Sequence, residues 1–230
     1  MDMNPREHIN QQILNRQLEQ LMEDAGKLHG HFCPGLAMGV IAGYLGMVKI
    51  KQYSDGLENV LAIVETNNCL SDGIQYVTGC TFGNNSLIFK DFGKVAFTIA
   101  TRDGRGVRIS AKLDSRAYVK SAHPYFSENY KKVVKDQIRT EEEIQAFKKM
   151  GKEAAFAILK LDFDKIFDLT EVKITIPAYA PSHESVICDK CGESIMSTRI
   201  SEVNNKKLCI PCANKSYFQL DGHGIKSILK

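Results

Sequence analysis

The sequence predicts an α+β core followed by a small cysteine-rich domain. Three observations carry that reading. Apolar residues recur at helical spacing in residues 5–28, 34–47 and 140–158. An alternating pattern brackets the turn pair Asp103-Gly104, which is the signature of a β-hairpin. Four cysteines, in two C-x2-C pairs, lie between positions 188 and 212.

Taken in order, Ile9, Ile13, Leu14, Leu18, Leu21, Met22, Ala25 and Leu28 form one apolar stripe, ended by Gly26 and Gly30. A second helix starts at Pro34, because proline suits the first helical turn. Gly35, Gly39 and Gly43 share one face of it and call for a close backbone neighbour. Residues 61–65 read as a buried strand and 71–78 as a short helix closed by Gly79. A loop, GCTFGNNSL, leads into the hairpin KVAFTIATR–DGRG–VRISAKL. Residues 114–161 return to helix, with Thr140 and Glu143 as a capping box. A last strand spans 172–176 and stops at Pro177. The domains expected are therefore a core at 1–176, a proline-bearing linker at 177–185 and a finger at 186–230.

Composition narrows the function. A net charge of +3 and a pI near 8.4 fall short of a dedicated nucleic-acid binder. The most apolar run, Leu36 to Val48, is too short to span a bilayer and is rich in glycine. The N-terminal residues lack the basic start and apolar run of a signal peptide, so a cytoplasmic protein is expected. In that compartment seven cysteines read as metal ligands or functional thiols rather than disulfides.

Cys188, Cys191, Cys209 and Cys212 supply four thiolates from two knuckles separated by seventeen residues. That set suits tetrahedral Zn²⁺ with every position filled, hence a structural ion. Two redox dithiols or an iron centre would use the same residues, and the spacing fits a zinc ribbon and a treble clef alike. His183 and His223 flank the module in polar segments.

A second constellation lies in HGHFCPG and CLSDGIQYVTGCTFG. Cys33 precedes Pro34 and Cys69 precedes Ser71, so each thiol stands at a helix start, where the helix dipole favours a thiolate. His29, His31 and Cys33 alternate and share one side of an extended segment. His31, Cys33, Cys69, Asp72 and Cys80 form the candidate cleft. A second transition metal is expected through His29, His31, Cys33 and Cys69. Asp72 reads equally as a helix cap and as a carboxylate of the cleft.

The stretches HGHFCPGLAMG, CLSDGIQYVTGCTFGNNSL and Asp91-Phe92-Gly93-Lys94-Val95-Ala96 resemble the FmdE family of formylmethanofuran dehydrogenase proteins. CDKCGE and LCIPCA are similar to the zinc finger that members append. The resemblance implies an α+β core that dimerises, with His31, Cys33, Cys69, Asp72 and Cys80 gathered in a cleft. It implies a metal- and thiol-containing accessory protein in a molybdenum or tungsten enzyme pathway, associated with an oxidoreductase. It names no reaction. A metal carrier without turnover and a regulatory protein-interaction module are the other classes kept in view.

Overall fold

A computed structural model describes residues 4–229; Met1–Met3, where the N-terminus expected to lack a signal peptide begins, and Lys230 lie outside the described residues. The chain divides into two units, the first ending at Pro177 and the second beginning at Ala178.

The first stripe folds as two helices, α1 (Glu7–Leu14) and α2 (Leu18–His29). The single helix expected there breaks at Arg16, which turns left-handed with φ 52°. The polar run Asn15-Arg16-Gln17 offers nothing to bury, and Leu14 and Leu28 stay exposed. Next comes α3 (Pro34–Ile50), apolar on nearly every face and buried through the middle of the unit. β1 (Val60–Val64) is buried throughout. α4 (Cys69–Thr78) starts on Asn68, whose side chain accepts the Leu70 N–H, and ends on Gly79 in the left-handed conformation.

A five-stranded sheet runs in the order β2-β1-β3-β4-β5, with β2 (Leu87–Phe89), β3 (Ala96–Thr101), β4 (Arg105–Ala111) and β5 (Phe167–Lys173). β1 and β2 pair in parallel across α4, and the remaining pairs are antiparallel. β2 adds a strand beside the stretch expected as loop, because three residues carry no alternation. β5 starts five residues earlier than the strand expected at 172–176. It is an edge strand with only Phe167 buried, so its charged residues hide the pattern. The segment after β4 forms α5 (Ser115–Ser121), α6 (Phe126–Tyr130), a π-helical turn over Lys131–Lys135, and α7 (Glu141–Ile158). Thr140 caps α7 by accepting the Glu143 N–H, while the Glu143 carboxylate turns to Lys132.

One ion pair crosses the sheet face. Arg108 on β4 donates two hydrogen bonds of 2.9 Å to Glu65, just past β1. The Glu65 side chain is only 8% exposed, so Arg108→Ala leaves a buried carboxylate without its cation. Because Arg108 itself is partly in solvent, the expected cost is about 2 kcal/mol, read as a lower urea midpoint.

The second unit consists of three hairpins: β6 (Ser185–Ile187) with β7 (Ser194–Met196), β8 (Ile200–Val203) with β9 (Lys206–Cys209), and β10 (Tyr217–Asp221) with β11 (Gly224–Ile228). Among the described residues no helix is long and apolar enough to cross a membrane.

Candidate metal centre

α2 ends at His29 because Gly30 takes φ 84° and returns its N–H to Gly26. That turn brings the His31 ring to 4.3 Å from the His29 ring. Cys33 then sits at the N-cap of α3, its Sγ accepting the Leu36 N–H at 3.4 Å. The fourth member, Cys69, is the first residue of α4. One donor atom from each of His29, His31, Cys33 and Cys69 lies within 4.8 Å of all the others.

Glycine makes this convergence sterically feasible. A Cβ on Gly39 would stand 2.2 Å from the Leu70 carbonyl oxygen, and one on Gly73 would stand 2.6 Å from the Gly39 backbone. The backbones of α3 and α4 therefore touch directly, which draws their first turns together. At the top of the contact, a Cβ on Gly35 would lie 3.0 Å from the Cys69 Cβ.

His29 Nδ1 lies 2.7 Å from Asp72 Oδ2, and Gln75 donates to Asp72 Oδ1 at 3.0 Å. Asp72 is thus the carboxylate that orients His29, and the cap of α4 falls to Asn68. With the proton held at Nδ1, the Nε2 lone pair faces inward, 3.9 Å from Cys33 Sγ. A histidine fixed by a carboxylate on its far nitrogen is the usual outer arrangement of a metal ligand. Gln75 had no signal of its own in the sequence, although it lies three residues after Asp72 on the same helical face.

The sulfurs differ in protonation. The hydrogen bond to Cys69, followed by burial, pushes the Cys33 thiol well up. Accepting that bond, with help from the His29 charge, holds Cys69 down to about 5. Burial, then the neighbouring His29, lowers His31. The cluster without metal is a neutral-imidazole, thiol–thiolate site, close to the state in which these groups ligate.

Cys80 does not join them. It is fully buried beyond the far end of α4, with Sγ donating to the Val60 carbonyl at 3.3 Å. Eleven residues separate it from Cys69, about 16 Å of helix. Adjacency in the motif suggested the cleft for it, but a helix carries its two ends apart.

In the second unit, Cys188 follows β6, Gly192 turns the first knuckle at φ 75°, and Cys209 ends β9. The four sulfurs of Cys188, Cys191, Cys209 and Cys212 lie within 4.8 Å of one another. Backbone amides are aimed at them: Cys209 N–H donates to Cys188 Sγ at 3.3 Å, and Cys212 N–H to Cys209 Sγ at 3.4 Å. The amides of Cys191 and Cys209 hold Cys188 down to about 6. Asp189 accepts the Lys207 N–H at 2.6 Å, tying the first knuckle to the β8–β9 hairpin. Four sulfurs with amide donors fit tetrahedral zinc. No α-helix follows the second knuckle among the described residues.

Residues 28–168 match the family model described as FmdE, Molybdenum formylmethanofuran dehydrogenase operon. The chain belongs to the FmdE family. Its tail, residues 184–218, matches the prokaryotic dksA/traR C4-type zinc finger. A protein of Archaeoglobus fulgidus, described as a probable S-adenosyl-L-methionine-binding protein, is 37% identical over 217 residues. The match takes in 90% of this FmdE-family chain but 56% of the relative, so the chain spans little more than half of that protein. The crystal structure of an FmdE-like protein of tungsten formylmethanofuran dehydrogenase, from Syntrophus aciditrophicus, shares the fold. Its TM-score is 0.53 at 23% identity, over 85% of this chain and 91% of that one.

Proposed function

We propose that this FmdE-family protein is a metal-binding accessory protein whose core holds one transition-metal ion, zinc in the first place. The ligands would be His29 Nε2, His31, Cys33 and Cys69. The observation that carries the reading is the meeting of these four donors, with His29 aimed by Asp72. Two imidazoles and two thiolates suit a borderline-soft ion. Bound metal supplies a Lewis acid and keeps both sulfurs as thiolates. Around it, Asp72 holds the His29 proton at Nδ1, and buried Cys33 anchors the inner side. His31 and Cys69, both half-buried, face the solvent side, where a donor can exchange.

A carrier that delivers or stores the ion without turnover is the second reading, because four protein donors leave a tetrahedral ion no open position. A homodimer working beside a molybdenum or tungsten enzyme belongs to the same proposal, supported by the family's description. The S-adenosylmethionine binding in the Archaeoglobus relative's description is not taken over, since much of that protein lies outside the match.

Metal analysis tests the core site. The purified protein is expected to carry two ions per chain, and Cys188→Ser/Cys209→Ser to keep one. Adding Cys69→Ser to that variant removes the last. A Cys188→Ser/Cys209→Ser protein that binds no metal while its core remains folded by circular dichroism would sink the proposal.

A further inference from the structure

Between α5, α6 and α7 lies a cavity of about 470 Å³ that the metal centre does not use. Its floor is apolar: Val119 from α5, Phe126 from α6 and Ile158 from α7 line it. Pro34 closes one wall, and it directly follows Cys33 in the chain. Its mouth is strongly basic. Arg116, Lys120, Lys131 and Lys135 surround it, all exposed.

None of these four cations has a carboxylate partner among the described residues. That is not the habit of this chain, in which nearby Lys132 pairs with Glu143 and Lys152 with Glu23. Four like charges around one opening repel one another, and an anion seated there would relieve the repulsion. A further group is left wanting a partner. His123 lines the cavity, and its Nδ1 is buried without a hydrogen-bond partner, while its Nε2 faces Glu153 at 3.4 Å.

We infer that this cavity binds a small organic anion with an apolar or aromatic body, which lies on the floor while its charged head meets the basic rim. The volume falls in the range of about 300–1,000 Å³ that small-molecule sites occupy. An apolar floor with a few convergent polar groups is the usual make-up of such a site. Phosphate, sulfonate and carboxylate heads share the chemistry that Arg116 and the three lysines recognise. The inference does not depend on the core metal, since no ligand of that cluster lines the cavity except through its neighbour Pro34.

The test uses 8-anilinonaphthalene-1-sulfonate, an aromatic body with one anionic head, titrated into the full chain by fluorescence. Saturable binding of one probe per chain is expected, weakened by salt. Arg116→Ala/Lys131→Ala, which changes two exposed side chains and leaves the floor intact, is expected to weaken it roughly tenfold. Lys148→Ala/Lys149→Ala, which removes two cations of α7 outside the cavity, should leave it unchanged. Competition then separates the sources: displacement by ATP assigns a phosphorylated ligand, and displacement by octanoate a carboxylate. Equal binding by the Arg116→Ala/Lys131→Ala variant, an equal loss in both double variants, or displacement by neither competitor would overturn the inference.

Discussion

Gly39→Ala is expected to cost the core at least about 3 kcal/mol, the largest effect of any single methyl group in the first unit. The added carbon would stand 2.2 Å from the Leu70 carbonyl oxygen and 3.0 Å from the Gly73 Cα. Neither atom belongs to a flexible side chain, so relief requires α3 and α4 to move apart as bodies. The gain in helix propensity from alanine, about 1 kcal/mol, is too small to offset this. Thermal melting should show a midpoint lowered by roughly 6–12 °C. Gly83→Ala is the control: nothing lies within 4 Å of its Cβ position and its φ is not positive, so the change should stay within about 0.5 kcal/mol. Equal stability of the Gly39→Ala protein would mean that the helices are not in backbone contact.

Removing the metal from the second unit is expected to have the other large effect. The buried apolar cluster there consists of Cys188, Leu208 and Cys209, with Ile195, Val203 and Ala213 packed at its edge. Two of the three buried residues are themselves ligands. So little apolar area cannot offset the ordering of some fifty residues, and metal binding worth about 10–16 kcal/mol would have to do it. With Cys209→Ser, or after chelation, the chain beyond Pro177 should become protease-sensitive and lose amide dispersion. A Cys209→Ser tail that stays resistant and dispersed would show that the hairpins fold without the ion.

Residues whose local pattern and tertiary role coincide were readable from the sequence. Gly35, Gly39 and Gly43 announced a close neighbour because nothing else justifies three glycines on one face of a helix, and α4 is that neighbour. Asp103-Gly104 announced the β3–β4 turn. His29, His31, Cys33 and Cys69 could be named because each stands at a helix end or beside one, where local chemistry speaks for itself. What stayed hidden depended on distance. Cys80 shares a motif with Cys69, yet the length of α4 separates them. The choice for Asp72 between cap and cleft required knowing that His29 folds back onto α4. The basic cavity left no periodic trace, since Arg116, Lys131 and Ile158 meet only when three helices pack.

The touching backbones of α3 and α4 have a kinetic consequence. Cys33 and Cys69 are carried on the first turns of two helices locked by main-chain contact a turn or so below, so rotamer changes alone cannot widen the gap between their sulfurs by much. An ion held between them would therefore be released on the timescale of helix separation rather than of side-chain motion. Lifetime on the protein, more than equilibrium affinity, is the quantity this construction governs. A handover to another molecule would go fastest if the recipient engaged the solvent-facing donors His31 and Cys69 first, before the helices part.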